Sequence, residues 1–288
     1  MESIAELRQI CQTTAKRDQS NVYMRYVCRF LSIYLTRFIL PTSMTPNQVS
    51  FAMIVTGVTA TLFFLSPVSG MFVIGAFLLQ LWYLLDCMDG EVARYRHFKT
   101  TGSMIIRKEE SGLSGMYYDI INHYIINLMV PATLGIGIFY QTGNPLFLFL
   151  GIAGAVGQEL LLAMHDGKNR VLLAHLRKYQ TVSMAQPAAP LPKKTRTLAH
   201  FLFMGLHYAM TYPTVMNLVG LTAILELTVP VFPWRAALLI GLTLGSLTVA
   251  AVTIARNISL RLIEKERSEG FILSEELQPI GSVSHEKN

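Results

Sequence analysis

The sequence predicts an all-α integral membrane protein with six spanning helices, on three observations. Apolar residues make up 52% of the 288 residues and charged residues only 15%, and the mean hydropathy is +0.41. About one quarter of an ordinary soluble domain is charged, so this composition disfavours soluble enzymes and nucleic-acid-binding domains. The length also accommodates six segments of about 20 residues with loops between them. The net charge of +6 is explained by basic loops on one side of a membrane, so no nucleic-acid partner is expected.

Residues 20–40 predict an amphipathic helix that lies on the membrane surface. Apolar side chains recur there at helical spacing, with arginines between them. Such a helix suits the boundary between lipid and water, where the charged groups stay hydrated. The alternative is a tilted first span, which three arginines would make costly. The residues concerned are Val22, Tyr26, Phe30, Tyr34, Phe38, Arg25, Arg29 and Arg37.

Six apolar segments follow the surface helix. Pro41 and Pro46 break the chain, and Asn47 opens the first span. Turn-forming residues separate the later segments, and Pro213 lies inside the fifth. The predicted spans are 47–66, 71–89, 115–140, 146–164, 201–228 and 232–256.

The lysines and arginines predict the sidedness. The segments that follow spans one, three and five contain Arg235 as their only basic residue. The other basic residues lie in the N-terminal arm, the two remaining loops and the C-terminal tail, so both termini are expected in the cytoplasm. The predicted division is a cytoplasmic arm with the surface helix at 1–40, a membrane domain at 41–263 and a polar tail at 264–288.

Ionisable residues collect at one predicted membrane depth. Asp86 and Asp89, at the cytoplasmic end of the second span, are three residues apart and share a helix face. Asp119 and His123, near the cytoplasmic start of the third span, are four apart and also share a face. Carboxylates are costly in a span, and hard divalent cations prefer oxygen ligands. The four residues therefore predict a metal site, and solvated helix ends are the plainer alternative.

Small residues and one cation follow the first two aspartates. Gly90 and Ala93 would let a bulky ligand approach the helix backbone. Arg94 offers a guanidinium, which suits phosphate. A phosphate-containing ligand beside the predicted metal site is therefore expected.

These residues resemble the signature of the CDP-alcohol phosphotransferase, or CDP-alcohol phosphatidyltransferase, family. The first half of that signature is Asp-x2-Asp-Gly-x2-Ala-Arg, and Asp86 to Arg94 match it throughout. The second half is Gly-x3-Asp-x3-Asp, and Gly115 and Asp119 match its first two fixed positions. Thr45-Pro46-Asn47 is also similar to the tripeptide with which the family begins its first span.

The resemblance implies a membrane transferase that moves a substituted phosphoryl group from a CDP-alcohol to a hydroxyl acceptor and releases CMP. Two divalent cations, Mg²⁺ or Mn²⁺, would be held by Asp86, Asp89 and Asp119 at the cytoplasmic face. The acceptor could be a lipid, a polyol or a sugar, in phospholipid or glycan-related biosynthesis, and membrane lipids would surround a homodimer. In a prokaryote the location would be the cell membrane. The residues implied to bind the CDP moiety are Asn47, Gly90, Ala93, Arg94 and Gly115.

Two departures from the family pattern affect the expected chemistry. His123 stands where the last aspartate belongs, and the spacer from Arg94 to Gly115 is longer than usual. Gly102 lies nearer the usual distance, but Ile106 follows it where an aspartate is needed. Histidine can act as the general base or can ligate a transition ion such as manganese. The third alternative is a catalytically silent carrier or scaffold that retains the family fold.

Two further patterns concern the membrane domain. Glu159 and Glu226 lie near predicted span ends, where a functional role and simple hydration are both open. Glycines at helical spacing predict close helix packing, either within the chain or between subunits. These glycines are Gly151, Gly154 and Gly157 in the fourth span and Gly241 and Gly245 in the sixth.

Overall fold

The computed structural model describes most of the chain as helix. The described residues are 2–12, 22–104, 113–176, 182–184, 197–265 and 271–273. Part of the long spacer, 105–112, and most of the polar tail lie outside them. The chain divides into two compact units, which we call the core unit (Met1–Glu159 with His207–Leu247) and the second unit (Leu160–Leu206 with Thr248–Asn288).

The helices are numbered in chain order, and one π-helical segment is named π1. They are α1 (Ile4–Cys11), π1 (Met24–Cys28), α2 (Arg29–Ile39), α3 (Pro46–Phe63), α4 (Ser69–Thr101), α5 (Leu113–Thr142), α6 (Leu146–Leu176), α7 (Leu198–Ala209), α8 (Thr214–Thr228) and α9 (Trp234–Ser259). The two strands are β1 (Val182–Met184) and β2 (Phe271–Leu273). The all-α prediction is therefore correct for the described residues apart from this pair of three-residue strands.

Local signals in the sequence set the ends of the helices near the predicted site. Thr45 caps α3 through a reciprocal pair of hydrogen bonds with Gln48, and Pro46 occupies the first helical turn. Helix α4 continues for three turns beyond Asp89 and ends at Gly102, whose φ of 71° is readily adopted only by glycine. Gly102 is thus a helix terminator, which agrees with its exclusion from the signature.

Four described helices are long and apolar enough to cross a membrane. These candidate spans are Ser69–Thr101, Tyr117–Thr142, Leu146–Leu176 and Trp234–Ser259. The predicted fifth span is instead two shorter apolar helices, α7 and α8, because the chain turns at Met210–Pro213. Proline lacks an amide hydrogen and its ring obstructs a continuous helix. The count of six spans and the cytoplasmic termini remain predictions.

Helix α4 is the central element of the core unit. It packs against α1, α2, α3 and α8. Gly75 permits a close approach to α3, since a Cβ there would lie 2.7 Å from the carbonyl oxygen of Ala60 and 2.7 Å from the Phe64 ring. Buried Val49, Met88 and Val92 close the packing beside the signature residues.

The glycines of α6 pack within this chain. A Cβ on Gly151 would lie 3.0 Å from the carbonyl oxygen of Pro131 on α5. On Gly154 it would meet Thr243 of α9 at 2.7 Å. Gly245 packs against Met210, whereas Gly241 faces open space. Gly151, Gly154 and Gly245 therefore pack within the chain, and packing between subunits remains a prediction.

Glu226 and Arg235 form a buried ion pair. The Arg235 guanidinium is only 3% exposed and donates two hydrogen bonds of 2.6 Å to the carboxylate. It also donates to the Ser66 carbonyl at 2.7 Å and lies over the Phe72 ring. Ser69 donates to the same carboxylate at 2.6 Å. Of the two alternatives left open for Glu226, simple hydration is therefore wrong.

The surface helix exposes the apolar stripe that the sequence predicts. Val22 and Phe38 are 72% and 83% exposed, and the three aromatic residues between them, Tyr26, Phe30 and Tyr34, are also exposed. On another side, the Tyr23 hydroxyl donates to Gln80 of α4 at 2.6 Å. An apolar stripe left uncovered beside membrane-spanning helices fits contact with lipid, and that contact remains a prediction.

The second unit contains the strand pair and the C-terminal part of α9. β1 and β2 are antiparallel, with Val182 opposite Leu273 and Met184 opposite Phe271. The Arg256 guanidinium lies over the Phe203 ring, 5.4 Å from its centre. None of the predicted site residues belongs to this unit.

Candidate active site

Three of the predicted metal ligands converge between α4 and α5. The Nε2 atom of His123 lies 3.6 Å from Asp86 Oδ1 and 3.4 Å from Asp119 Oδ1. One ligand atom from each residue lies within 4.8 Å of the others, and all three side chains are partly buried. Two carboxylates and an imidazole at this spacing could hold a divalent cation. The two halves of the signature therefore meet in space, as their predicted common depth requires.

Asp89 is turned to a neighbouring helix. Its Oδ2 atom accepts a 3.0 Å hydrogen bond from the hydroxyl of Ser50 on α3. Ser50 is 2% exposed, so the bond is shielded from water. Asp89 lies outside the compact group of Asp86, Asp119 and His123 among the described residues. The structure thus brings together three of the four predicted ligands and places the fourth one helical turn away.

Trp82 forms the wall behind His123. The two rings meet edge to face, with centroids 5.4 Å apart. Trp82 is fully buried and its indole Nε1 donates to Asn122 Oδ1 at 3.1 Å. The Tyr212 ring meets the same indole at 5.8 Å. Sequence analysis missed this wall, although Trp82 is four residues before Asp86 and therefore on the same helix face.

The residues expected to bind the CDP moiety lie along the same end of α3, α4 and α5. A Cβ on Gly115 would lie 3.8 Å from Asn47 Oδ1, so these two predicted residues are neighbours. The Arg94 guanidinium lies over Gly90, where a Cβ would be 3.0 Å from Nη1. Ala93 is partly buried on the same helix. The absence of a side chain at 90 lets the Arg94 guanidinium lie against the helix, and at 115 it leaves space beside Asn47.

Arg94 also contacts the N-terminal arm. Its Nε donates a short hydrogen bond to the carbonyl oxygen of Cys11 at the end of α1. Nearby, the fully buried Glu91 carboxylate accepts hydrogen bonds from Gln12, Ser32 and Thr36 at 2.6–2.7 Å. Glu91 is a variable position of the signature, and nothing in its local spacing indicated these partners.

The start of the arm is held by a charged contact outside the spans. The Lys99 ammonium lies 2.5 Å from Glu2 Oε1, and the Tyr95 hydroxyl donates to Glu2 Oε2 at 2.7 Å. The hydrogen bond with Lys99, reinforced by that from Tyr95, lowers the pKa of Glu2 to about 2. The N-terminal arm is therefore docked on the continuation of the signature helix.

Residues 43–105, which include the whole first half of the signature, match the family model of CDP-alcohol phosphatidyltransferases. Over these residues the chain is similar to the CDP-alcohol phosphatidyltransferase family. The resemblance predicted from the sequence is thereby confirmed. Together with the four candidate spans, this match indicates an integral membrane protein.

A solved structure shares the fold of this chain. It is the crystal structure of Mycobacterium tuberculosis phosphatidylinositol phosphate synthase with CDP-DAG bound. The similarity has a TM-score of 0.52 at 16% sequence identity and covers 80% of this chain and 92% of that chain. Among curated proteins, none matches the chain by sequence.

Proposed function

We propose that this protein transfers a substituted phosphoryl group from a CDP-alcohol to a hydroxyl acceptor and releases CMP. The observation that carries the proposal is the convergence of Asp86 from α4 with Asp119 and His123 from α5. The match to the family model over residues 43–105 supports the same reaction class. The products would serve phospholipid or glycan-related biosynthesis.

The donor set fits divalent cations. Asp86 and Asp119 offer carboxylate oxygens, which suit both Mg²⁺ and Mn²⁺. The His123 nitrogen would join them only in its alternative role as a metal ligand. We assign Asp89 to a second ion, since its carboxylate is one turn from Asp86 on the same helix. Bound there, the two cations would screen the anionic pyrophosphate and stabilise the departing phosphate. Ser50 orients Asp89 through its hydrogen bond.

The donor would lie where α3, α4 and α5 present few side chains. Gly90, Ala93 and Gly115 leave room for the CDP moiety, and Asn47 beside Gly115 offers it an amide. Arg94 would bind a phosphate with its terminal nitrogens, because its Nε is already bonded to the arm. The alcohol part of the donor would be a diacylglycerol or a small alcohol.

His123 is assigned as the general base. The acceptor hydroxyl oxygen forms a bond to the phosphorus of the transferred group, and its proton passes to the imidazole. The bond from that phosphorus to the oxygen of the CMP phosphate breaks, and CMP leaves with the electron pair. Asp86 and Asp119 flank Nε2 at 3.6 and 3.4 Å and so orient the imidazole in the site. Ligation of a metal by His123 is the alternative role.

The setting of the reaction follows from the charge pattern. The excess of lysine and arginine in the arm, two loops and the tail supports a site at the cytoplasmic face, where CDP-linked donors occur. We propose a homodimer in the membrane, with a lipid, polyol or sugar as the acceptor.

The direct test is CMP release by the protein in lipid nanodiscs. Protein, Mg²⁺ or Mn²⁺, a CDP-alcohol and a panel of lipid, polyol and sugar acceptors are combined, and CMP is measured by chromatography. We expect metal-dependent CMP release that is abolished in Asp89→Asn and unchanged in Asp166→Asn, a matched control on α6. Normal turnover in Asp89→Asn would refute the proposal. A protein that neither releases CMP nor is stabilised by CDP with Mg²⁺ would be a carrier or scaffold.

A further inference from the structure

The signature helix has a second functional face, occupied by the N-terminal arm. Residues of α4 that contact the arm recur at helical spacing: Glu91, Arg94, Tyr95, Phe98 and Lys99. Leu7, Ile10 and Cys11 of α1 are buried against this face together with Ile33 of α2. The arm is therefore a packed part of the core unit.

Arg94 lies between the two faces of α4. At about 100° per residue, it projects between the stripe of Asp86, Gly90 and Ala93 and the stripe that contacts the arm. Its side chain can consequently bend toward the arm or toward the donor. In the structure the guanidinium contacts both sides. Its Nε donates a hydrogen bond to the Cys11 carbonyl, and its Nη1 lies over Gly90.

Gln12 fixes the end of α1 at this point. Its Nε2 donates to Glu91 Oε1 and to the carbonyl oxygen of Arg29, both at 2.6 Å. Glu91 is held in turn by the hydroxyls of Ser32 and Thr36. Hydrogen bonds to a charged, buried acceptor are stronger than neutral ones, so this network holds the Cys11 carbonyl in place.

We propose that Gln12 is a positioning residue that sets Arg94 for the phosphate of the CDP-alcohol, through Glu91 and the Cys11 carbonyl. The arm takes the Nε donor of the guanidinium and aims its two terminal nitrogens at the space above Gly90. This inference rests on the proposed function, since it assigns the arm a role in binding the proposed donor.

The test compares two glutamines of α1 and its cap. Gln12→Met keeps the length of the side chain but removes its donor, and Gln9→Met is the matched control because Gln9 is exposed on α1. CDP affinity in the presence of Mg²⁺ is measured by titration calorimetry on the full chain in nanodiscs. We expect about tenfold weaker CDP binding in Gln12→Met and unchanged binding in Gln9→Met. KM for the CDP-alcohol should rise by the same factor with kcat nearly constant.

A double-mutant cycle distinguishes positioning from general loss of structure. In an Arg94→Gln background, Gln12→Met should cause no further loss of CDP affinity, because the residue that it positions is gone. Equal losses in both backgrounds would overturn the inference. Glu91→Gln is a second variant, which removes the charge that Gln12 binds, and it should weaken CDP binding in the same direction.

The outcomes also separate this inference from the proposed function. Wild-type protein that binds no CDP would refute both. Wild-type protein that binds CDP, with Gln12→Met and Glu91→Gln binding equally well, would refute the role of the arm alone.

Discussion

The Nε2 atom of His123 lies 3.6 Å from the Oδ1 atom of Asp86, which joins the second half of the signature to the first. The imidazole also packs against Trp82 through an edge-to-face contact of the two rings. These contacts with α4 therefore orient the imidazole. In the proposed function, histidine in place of the signature's last aspartate retains a proton acceptor in the site.

Replacing His123 by asparagine should separate the two roles of the residue. If His123 is the general base, His123→Asn lowers kcat for CMP release by about 10²–10⁴-fold, the usual contribution of such catalysis. Affinity for CDP and for Mn²⁺, measured by calorimetry, stays near the wild-type value. His97→Asn on α4 is the matched control and should retain full activity. A large loss of Mn²⁺ affinity in His123→Asn would instead make the histidine a metal ligand.

Local sequence patterns predict the site better than they predict the contacts around it. Asp86, Asp89 and Arg94 follow helical spacing, and the pairing of α4 with α5 follows from sidedness. Gln12 and Glu91 are 79 residues apart, and Ser66 is 169 residues from Arg235. Such partners leave no periodic trace in the sequence, because they depend on how the helices pack.

The predicted fifth span shows a different reason for error. Hydropathy alone joins α7 and α8 into one segment, since both helices are apolar. Pro213 interrupts the helix because it lacks an amide hydrogen and because its ring obstructs the preceding turn. A hydropathy average over 20 residues does not detect such a local effect. The sequence contained this signal, and greater weight on proline would have placed the break.

A methyl group at Gly75 should destabilise the core unit. In Gly75→Ala the new Cβ would lie 2.7 Å from the Ala60 carbonyl oxygen, so α3 and α4 must move apart. Overpacking of this kind typically costs about 1–3 kcal/mol. Gly241→Ala is the control, because a Cβ there meets nothing within 4 Å and the change favours helix. Thermal unfolding in detergent measures both, and equal midpoints would contradict the close packing of α3 on α4.

Acid should release the start of the arm. The hydrogen bond with Lys99 lowers the pKa of Glu2 from 4.5 to about 2, so the folded state binds a proton less readily than the unfolded chain. The contribution to stability is thus complete above pH 4.5 and is lost as the pH falls toward 2. Unfolding midpoints of wild type and Glu2→Gln should differ at pH 6 and converge near pH 2. A difference that persists at pH 2, or that ignores added salt, would contradict the ion pair.

Removing one partner of the buried ion pair should cost more than removing both. Arg235→Met leaves the Glu226 carboxylate buried without its cation, which typically costs about 3–5 kcal/mol. Arg235→Met with Glu226→Leu leaves no unpaired charge, so it should recover much of the lost stability. Unfolding of the single and double variants in detergent measures the coupling between the residues. CDP binding is expected to persist in every variant that folds, because Arg235 contacts Glu226, Ser66 and Phe72 and none of the proposed donor residues. Additive losses in the double variant would show that the two side chains stabilise the protein independently.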